Sequence, residues 1–318
     1  SQMKSGAMVG VSPGPAVKDW DFHAVLAEYG QRVSKYVRQR ADQKKPFFLF
    51  FPMPSPHTPI APHADFQGKT GISAYADFLV QTDAVVGQVL QAIDEAKIAK
   101  NTMVIFTCDN GTSPKCNFAQ LEKEGVHLRE HWRGWKADAY EGGHRVPFIV
   151  RWPGHIEAGA RRDQTITLAD VMATCAEVVG HDLPDNAAED SASLARILTG
   201  QGNEAVHDAV VHQSGSGYFA IRKGRWKLLL CRGSGGWSPP QEGRAAKRKL
   251  PPVQLYDLEA DPKEKTNLQA EKPALVKQLT ADLRRLVEAG RSTPGARQKN
   301  HGGRVWWKGL PWKKPVAK

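Results

Sequence analysis

The chain has 318 residues, of which 41% are hydrophobic and 24% charged, an ordinary balance for a globular protein of one large domain or one domain plus a smaller one. With 44 Lys and Arg against 33 Asp and Glu, the formal net charge of +11 favours anionic partners such as sulfated sugars, nucleic acid or acidic lipid, although a solvated basic surface and tail explain the same balance. The four cysteines, without a C-x-x-C pair or a zinc-finger spacing, exclude a disulfide framework, and no stretch has the apolar length of a transmembrane helix.

Residues 1–18 are rich in Gly, Pro and Ser and read as a loop. Their start, Ser1-Gln2-Met3-Lys4-Ser5-Gly6, lacks the apolar core of a signal peptide and looks nothing like the start of a domain. From Asp21 to Arg40, Phe22, Val25, Leu26, Tyr29, Val33, Tyr36 and Val37 recur at helical spacing. The run Pro46 to Pro52 then reads as a strand buried on both faces, delivering the loop Met53-Pro54-Ser55-Pro56-His57-Thr58-Pro59. Prolines flanking His57 narrow its backbone choices, and a histidine at a strand's end suits a hydrogen bond to an anion or general-acid work. Ser73 to Lys97 reads as a long amphipathic helix with Asp77 and Asp83 on its solvated or polar side.

Asn101 to Pro153 is the stretch with the most chemistry. An apolar strand, Thr102 to Thr107, runs into Cys108-Asp109-Asn110-Gly111. In open α/β sheets ligands bind at the carboxyl ends of such strands, and the adjacent oxygens of Asp109 and Asn110 suit a hard cation, Ca²⁺ or Mg²⁺. Asp-Asn-Gly is also a good turn sequence, which explains the tripeptide by itself. Residues 111–133 form an irregular basic insertion. Lys136 offers a compact charge for an oxyanion, and Gly142-Gly143 permits close backbone packing. His144 and Arg145 are pocket-lining candidates, with a structural ion pair an equal reading of Arg145. A second apolar run, Val146 to Val150, follows. Helix and strand alternating in this rhythm imply a parallel α/β sheet.

Thr165 to Val179 reads as a further helix in which solvation or capping accounts for Asp170. The connection 181–205 carries a short helix around Ser191 to Leu198. After Val206 short strands appear: Ala209 to His212, Tyr218 to Arg222, Trp226 to Leu230 and Val253 to Asp257. They imply a small antiparallel sheet packed by the helix Pro273 to Ala289. The segment Arg232 to Lys249 reads as a mobile loop. The tail after Pro294 mixes Arg297, Lys299, Arg304, Lys308, Lys313 and Lys314 with Trp306, Trp307 and Trp312 and is expected to lie back on the body or be poorly ordered.

The ordered set Pro56-His57-Thr58-Pro59, Asn101 through Gly111, Gly134-Trp135-Lys136 and Tyr140-Glu141-Gly142-Gly143-His144-Arg145-Val146-Pro147 resembles the sulfatases of the alkaline-phosphatase-like superfamily. His212-Gln213-Ser214, Ala220 to Leu228, Leu255 to Leu258 and Asp261-Pro262-Lys263-Glu264 resemble that family's C-terminal subdomain. The resemblance covers about residues 15 to 290. It implies a partial three-layer α/β/α alkaline-phosphatase-like core over 1–205, an antiparallel subdomain over 206–292 and a basic, Trp-rich tail over 293–318. It further implies a sulfuric ester hydrolase acting on a sulfated carbohydrate or aryl sulfate, with Asp109 and Asn110 as metal ligands. His57 and Lys136 would be catalytic, and His144, Arg145 and His212 substrate-binding. Nucleic acid is not an expected partner, and the family's location is periplasmic or secreted.

The family's Cys-x-Pro/Ala-x-Arg motif, whose cysteine becomes formylglycine, surrounds none of Cys108, Cys116, Cys175 or Cys231. Its pair of aspartate ligands has no counterpart before Pro46. The expectation is therefore the C-terminal portion of a sulfatase, inactive by itself. A phosphodiesterase or phosphatase of the same superfamily, and a non-catalytic anion-binding pseudoenzyme, are the alternatives.

Overall fold

The computed structural model describes residues 15, 17–43, 45–300 and 307–312. The chain divides into two units, one formed by 1–104, 113–128 and 151–154, the other by 105–112, 129–150 and 155–318.

The first unit is built on α1 (Phe22–Ala41) and α2 (Ala74–Glu95). Each begins where its sequence supplies a cap: Asp21 accepts from the His23 amide at 2.9 Å and Ser73 from the Ala76 amide at 3.2 Å. Their apolar stripes meet in two clusters. Leu26, Phe78 and Val85 are covered by Phe51, Met53 and Ile60, while Val37, Ala92 and Ile93 are covered by Val89, Ile98 and Val104. A short helix, α3 (Phe118–Lys123), lies in the basic insertion expected to be irregular and buries Phe118 and Leu121.

Two expectations in this unit are corrected. Pro46 to Pro52 is extended but pairs with no strand among the described residues. Phe51 and Met53 turn toward the helices, and Phe47 meets the ring of Tyr36 edge-on at 5.9 Å. On the other side of the pleat, Phe48 and Phe50 remain 74% and 76% exposed among the described residues. Asp77 is buried rather than solvated. It accepts from the Gly68 amide at 2.7 Å, the Thr70 amide at 2.9 Å and the Thr70 hydroxyl at 2.7 Å, so the preceding turn supplies the polar partners that water would have supplied.

In the second unit β1 (Val104–Thr107) and β2 (Phe148–Arg151) form a two-stranded sheet, and between them lies the one-turn helix α4 (Glu141–His144). Then come α5 (Asp170–Val178), α6 (Ala195–Leu198) and an antiparallel sheet of β3 (Val210–Gln213), β4 (Phe219–Lys223), β5 (Trp226–Leu229) and β6 (Gln254–Asp257) in sequential order. Period-two alternation gives that sheet two faces. Phe219, Ile221, Leu228 and Leu255 pack against Leu279, Leu283, Leu286 and Val287 of α8 (Pro273–Ala289). Ala220, Leu229 and Tyr256 face the other way, onto Ala139 and Tyr140 just ahead of α4. The α4 segment is thus seated on a sheet that lies far downstream in the chain.

The expected mobile loop at 232–249 is instead packed. It contains α7 (Glu242–Lys247), and Ser234 and Ala245 are fully buried. Asp138 accepts from the Trp237 and Ser238 amides at 2.8 and 3.0 Å, and a Cβ on Gly236 would lie 2.2 Å from the Ala137 carbonyl oxygen. The glycines that read as flexibility serve close backbone approach. Asp170 is likewise buried, accepting from the Thr167 and Ala192 amides and from His207, so its role is cap-like without solvent. In the tail, Trp307 packs edge-on against Phe219 at 5.8 Å and Lys308 lies over Tyr218. Arg304, Trp306, Lys313 and Lys314 lie outside the described residues. No helix is long and apolar enough to cross a membrane among the described residues.

Candidate active site

The second unit brings the Asp-Asn-Gly loop against the Glu-Gly-Gly turn. The Gly111 amide donates to the Gly143 carbonyl at 3.0 Å, and the Lys136 amide to the Thr112 carbonyl at 2.9 Å. Glycine is required at this seam: a Cβ on Gly111 would sit 1.8 Å from the Gly142 carbonyl oxygen, and one on Gly143 would sit 2.2 Å from that of Asp138. Asp109 is exposed and Asn110 half-buried. The Asn110 amide nitrogen donates to the Gly111 carbonyl at 2.9 Å, which orients the side chain and leaves its oxygen for another partner.

Behind the turn lies a buried ionic cluster. Lys227, on the inner face of β5 and fully buried, places Nζ 2.8 Å from Glu141 Oε1, 3.0 Å from Glu264 Oε1 and 3.1 Å from His144 Nε2. Glu264 Oε2 accepts from the Glu141 amide at 2.7 Å, and Glu141 Oε2 accepts from Arg145 Nε at 2.8 Å. Burial would push the Glu141 carboxyl up, but the positive charges of Lys227 and Arg145 and the Lys227 hydrogen bond outweigh it and hold the group far below the usual carboxylate range. Glu264 goes the other way: burial raises it, and Lys227 only partly offsets that. Arg133 anchors the same region, stacked at 3.9 Å over Tyr140 and donating to the Glu264 carbonyl at 2.5 Å.

Three of the predicted site residues come together on this cluster. His144 and His212 stack with ring centroids 3.9 Å apart, and His212 Nε2 lies 3.2 Å from the Ala139 carbonyl. Burial and the neighbouring Lys227 charge bring His212 down to about 4; burial, His212 and Lys227 hold His144 well below its ordinary value. Arg145 pairs with Glu141 and lies 4.2 Å over the Trp132 ring, the ion-pair reading of that residue. Lys136 is half-buried beside the Asp-Asn-Gly loop through its main chain. His57 belongs to the first unit, exposed, with Nδ1 2.7 Å from the Thr58 carbonyl.

Reading the sequence by motif missed Lys227 and Glu264, and treated Glu141 only as part of a glycine motif. One signal was available. In the strand Trp226-Lys227-Leu228-Leu229, Lys227 alternates with Leu228 and shares its face with Leu229, so a charge stands where an apolar side chain is expected.

Residues 25–181 match the sulfatase family model, and residues 205–317 match the model of the C-terminal region of aryl-sulfatase. The chain belongs to the sulfatase family. It is 32% identical over 246 residues to an N-acetylgalactosamine-6-O-sulfatase of Bacteroides thetaiotaomicron, covering 75% of this chain and 46% of that protein. It is 31% identical over 235 residues to human arylsulfatase A, covering 71% and 45%. A solved Bacteroides thetaiotaomicron structure, from work on the metabolism of multiple glycosaminoglycans, superimposes with a TM-score of 0.74 at 29% identity, covering 84% of this chain and 55% of that one. A Pseudoalteromonas sulfatase at 21% identity shares the fold with a TM-score of 0.69. The chain therefore spans about half the length of the curated relatives it matches.

Among the described residues, the Asp109 carboxylate and the Asn110 amide oxygen are two adjacent oxygen donors of the kind a metal centre could use. Among the described residues no group of three or more His, Cys, Asp and Glu side chains is gathered to hold a metal ion. The donor type fits a hard divalent cation, and the tied-back Asn110 nitrogen presents the right atom, but two donors are fewer than the six to eight that Ca²⁺ takes.

Proposed function

We propose that this sulfatase-family chain carries part of the active site of a sulfuric ester hydrolase acting on a sulfated carbohydrate or aryl sulfate. The observation that carries the reading is the seam of the Asp109-Asn110-Gly111 loop, the Glu141-Gly142-Gly143 turn and Lys136, held in register by the Gly111 and Lys136 main-chain hydrogen bonds. In this reading Lys136 meets a sulfate oxygen with a compact charge as the S–O bond breaks. His57, taken over from the family resemblance, donates a hydrogen bond or a proton to the leaving oxygen. Asp109 and Asn110 would hold Ca²⁺, or Mg²⁺, together with further oxygen ligands. When bound, the cation would offset charge on a sulfate oxygen, and the family's formylglycine would supply the attacking hydroxyl. His144, Arg145 and His212 line the side of the site that meets the alcohol part of the ester. The N-acetylgalactosamine-6-O-sulfatase relative favours a sulfated sugar over an aryl ester, and a periplasmic or secreted location accompanies that substrate class.

Calorimetry with inorganic sulfate tests the site. We expect weak binding to the wild type that is lost in Lys136→Ala without a change in melting behaviour; sulfate binding indifferent to Lys136 would reject the assignment. Calcium titration with Asp109→Ala as control should show weak uptake, since half a ligand set binds poorly. The chain alone is expected to show no turnover of a sulfate ester. Turnover that survives Lys136→Ala would overturn the reading.

A further inference from the structure

The two stacked imidazoles of the second unit have their proton positions dictated by neighbours that have no freedom themselves. An ammonium group has three donors and no acceptor. Lys227 Nζ, 3.1 Å from His144 Nε2, therefore requires that nitrogen to accept, and the proton of a neutral His144 is left on Nδ1. The competing carboxylate oxygen, Glu141 Oε1, is farther from the same nitrogen at 3.5 Å and is already engaged by Lys227 at 2.8 Å. His212 has the opposite constraint. A carbonyl oxygen only accepts, so Nε2, 3.2 Å from the Ala139 carbonyl, carries the proton and Nδ1 keeps a lone pair. Neither Nδ1 has a hydrogen-bond partner among the described residues. The His144 side chain is 31% exposed, and the rings stack 3.9 Å apart with a tilt of 41°.

The result is one uncharged N–H donor on His144 and one uncharged acceptor on His212, carried by stacked rings with Arg145 and Arg222 close by. Arg145 and Arg222 both lie near Glu141, the former at 2.5 Å and the latter at 3.9 Å. Those cations suit an anion; the imidazole pair does not. A hydroxyl group is the simple partner that both donates and accepts at one atom. We propose that His144 and His212 form a donor–acceptor pair of fixed tautomers that recognises a sugar hydroxyl beside the sulfate ester, with Lys227 as the positioning residue that sets the His144 tautomer. The inference rests on the sulfate-ester reading above and adds to it the atoms that read the sugar: the Nδ1 donor of His144 and the Nδ1 acceptor of His212.

The test is long-range proton–nitrogen NMR on the ¹⁵N-histidine-labelled chain at neutral pH, with His144→Phe and His212→Phe used for assignment. The expected spectrum has His144 protonated at Nδ1 and His212 at Nε2. In Lys227→Met the carboxylate becomes the nearest partner of His144 Nε2, and the proton should move to that nitrogen; Lys227→Arg, which keeps a donor there, should preserve the wild-type pattern. Titration with galactose 6-sulfate should shift both Nδ1 resonances, inorganic sulfate should shift neither, and His144→Phe should weaken galactose 6-sulfate by about tenfold, the effect of one hydrogen bond worth ~1.4 kcal/mol. A wild-type His144 that is protonated at Nε2, or charged, overturns the proposal without recourse to any variant. Galactose 6-sulfate that binds while both imidazoles stay silent overturns the recognition role and leaves the sulfate site standing. If neither inorganic sulfate nor the ester binds, the sulfate-ester reading fails and the pair loses its ligand with it.

Discussion

Lys227 decides most at the scale of single residues. Its fully buried ammonium group faces two carboxylates and an imidazole. Removing one member of a buried ion cluster leaves the remaining charge uncompensated, at a cost of about 3–5 kcal/mol. Lys227→Met should therefore lower the unfolding free energy from urea melts by that much, whereas Arg145→Ala, whose side chain is 35% exposed, should change it by less than about 1 kcal/mol. His212 makes a second prediction. Its folded value, about 4, lies below its ordinary 6.5, so the unfolded chain binds the proton first as the pH falls. The stability contributed by the neutral ring is complete above 6.5 and is lost progressively down to about 4. Between pH 6.5 and 5 the His212 contribution to stability in denaturant melts should fall by about 2 kcal/mol, and His212→Phe should flatten that slope. His144, shifted the same way, adds a loss of the same sign.

Gly111 and α4 make the prediction at the scale of elements. The short helix has no side-chain cap of its own; it is held by the Glu264 carboxylate on its first amide and by the Gly111 amide on its Gly143 carbonyl. Gly111→Ala forces a methyl carbon to within 1.8 Å of the Gly142 carbonyl oxygen unless the two loops part. Overpacking of this kind costs about 1–3 kcal/mol. Hydrogen exchange should show it locally, as faster exchange at the Gly111 and Lys136 amides with α8 unchanged. Sulfate binding should fall with it, since the loop and Lys136 share that seam.

For the whole molecule the telling feature is surface that nothing in the described chain covers. Phe48 and Phe50 project from an extended segment whose backbone pairs with no strand. Exposed apolar rings beside unpaired main chain promote association. Phe48→Ser with Phe50→Ser should reduce light scattering on concentration while moving the melting midpoint by no more than the effect of about 0.5 kcal/mol, because the rings bury little.

Much of the fold was legible in the residues alone, and the reasons differ by element. The long helices were visible because Leu26, Val37, Phe78 and Val85 recur at 3.6-residue spacing behind the caps Asp21 and Ser73, and both signals are local. The antiparallel strands announced themselves by alternation between turns, and the family by the order of its motifs. What remained hidden depended on partners distant in the chain. Pro46 to Pro52 has the composition of a buried strand, but a strand exists only when another pairs with it. Residues 232–249 have the composition of a mobile loop, yet Asp138 and Ala137 pin them. Asp77 looks solvated until the turn that donates to it is in place. The candidate site divides in the same way. Asp109, Asn110, Lys136, His144 and His212 were marked by sequence because motifs concentrate their residue types. That Lys227, 83 residues beyond His144, stands between Glu141 and Glu264 and dictates an imidazole's tautomer was decided only in three dimensions. Propensity and periodicity act between neighbours along the chain, whereas burial, ion pairing and proton position depend on what folding brings across it.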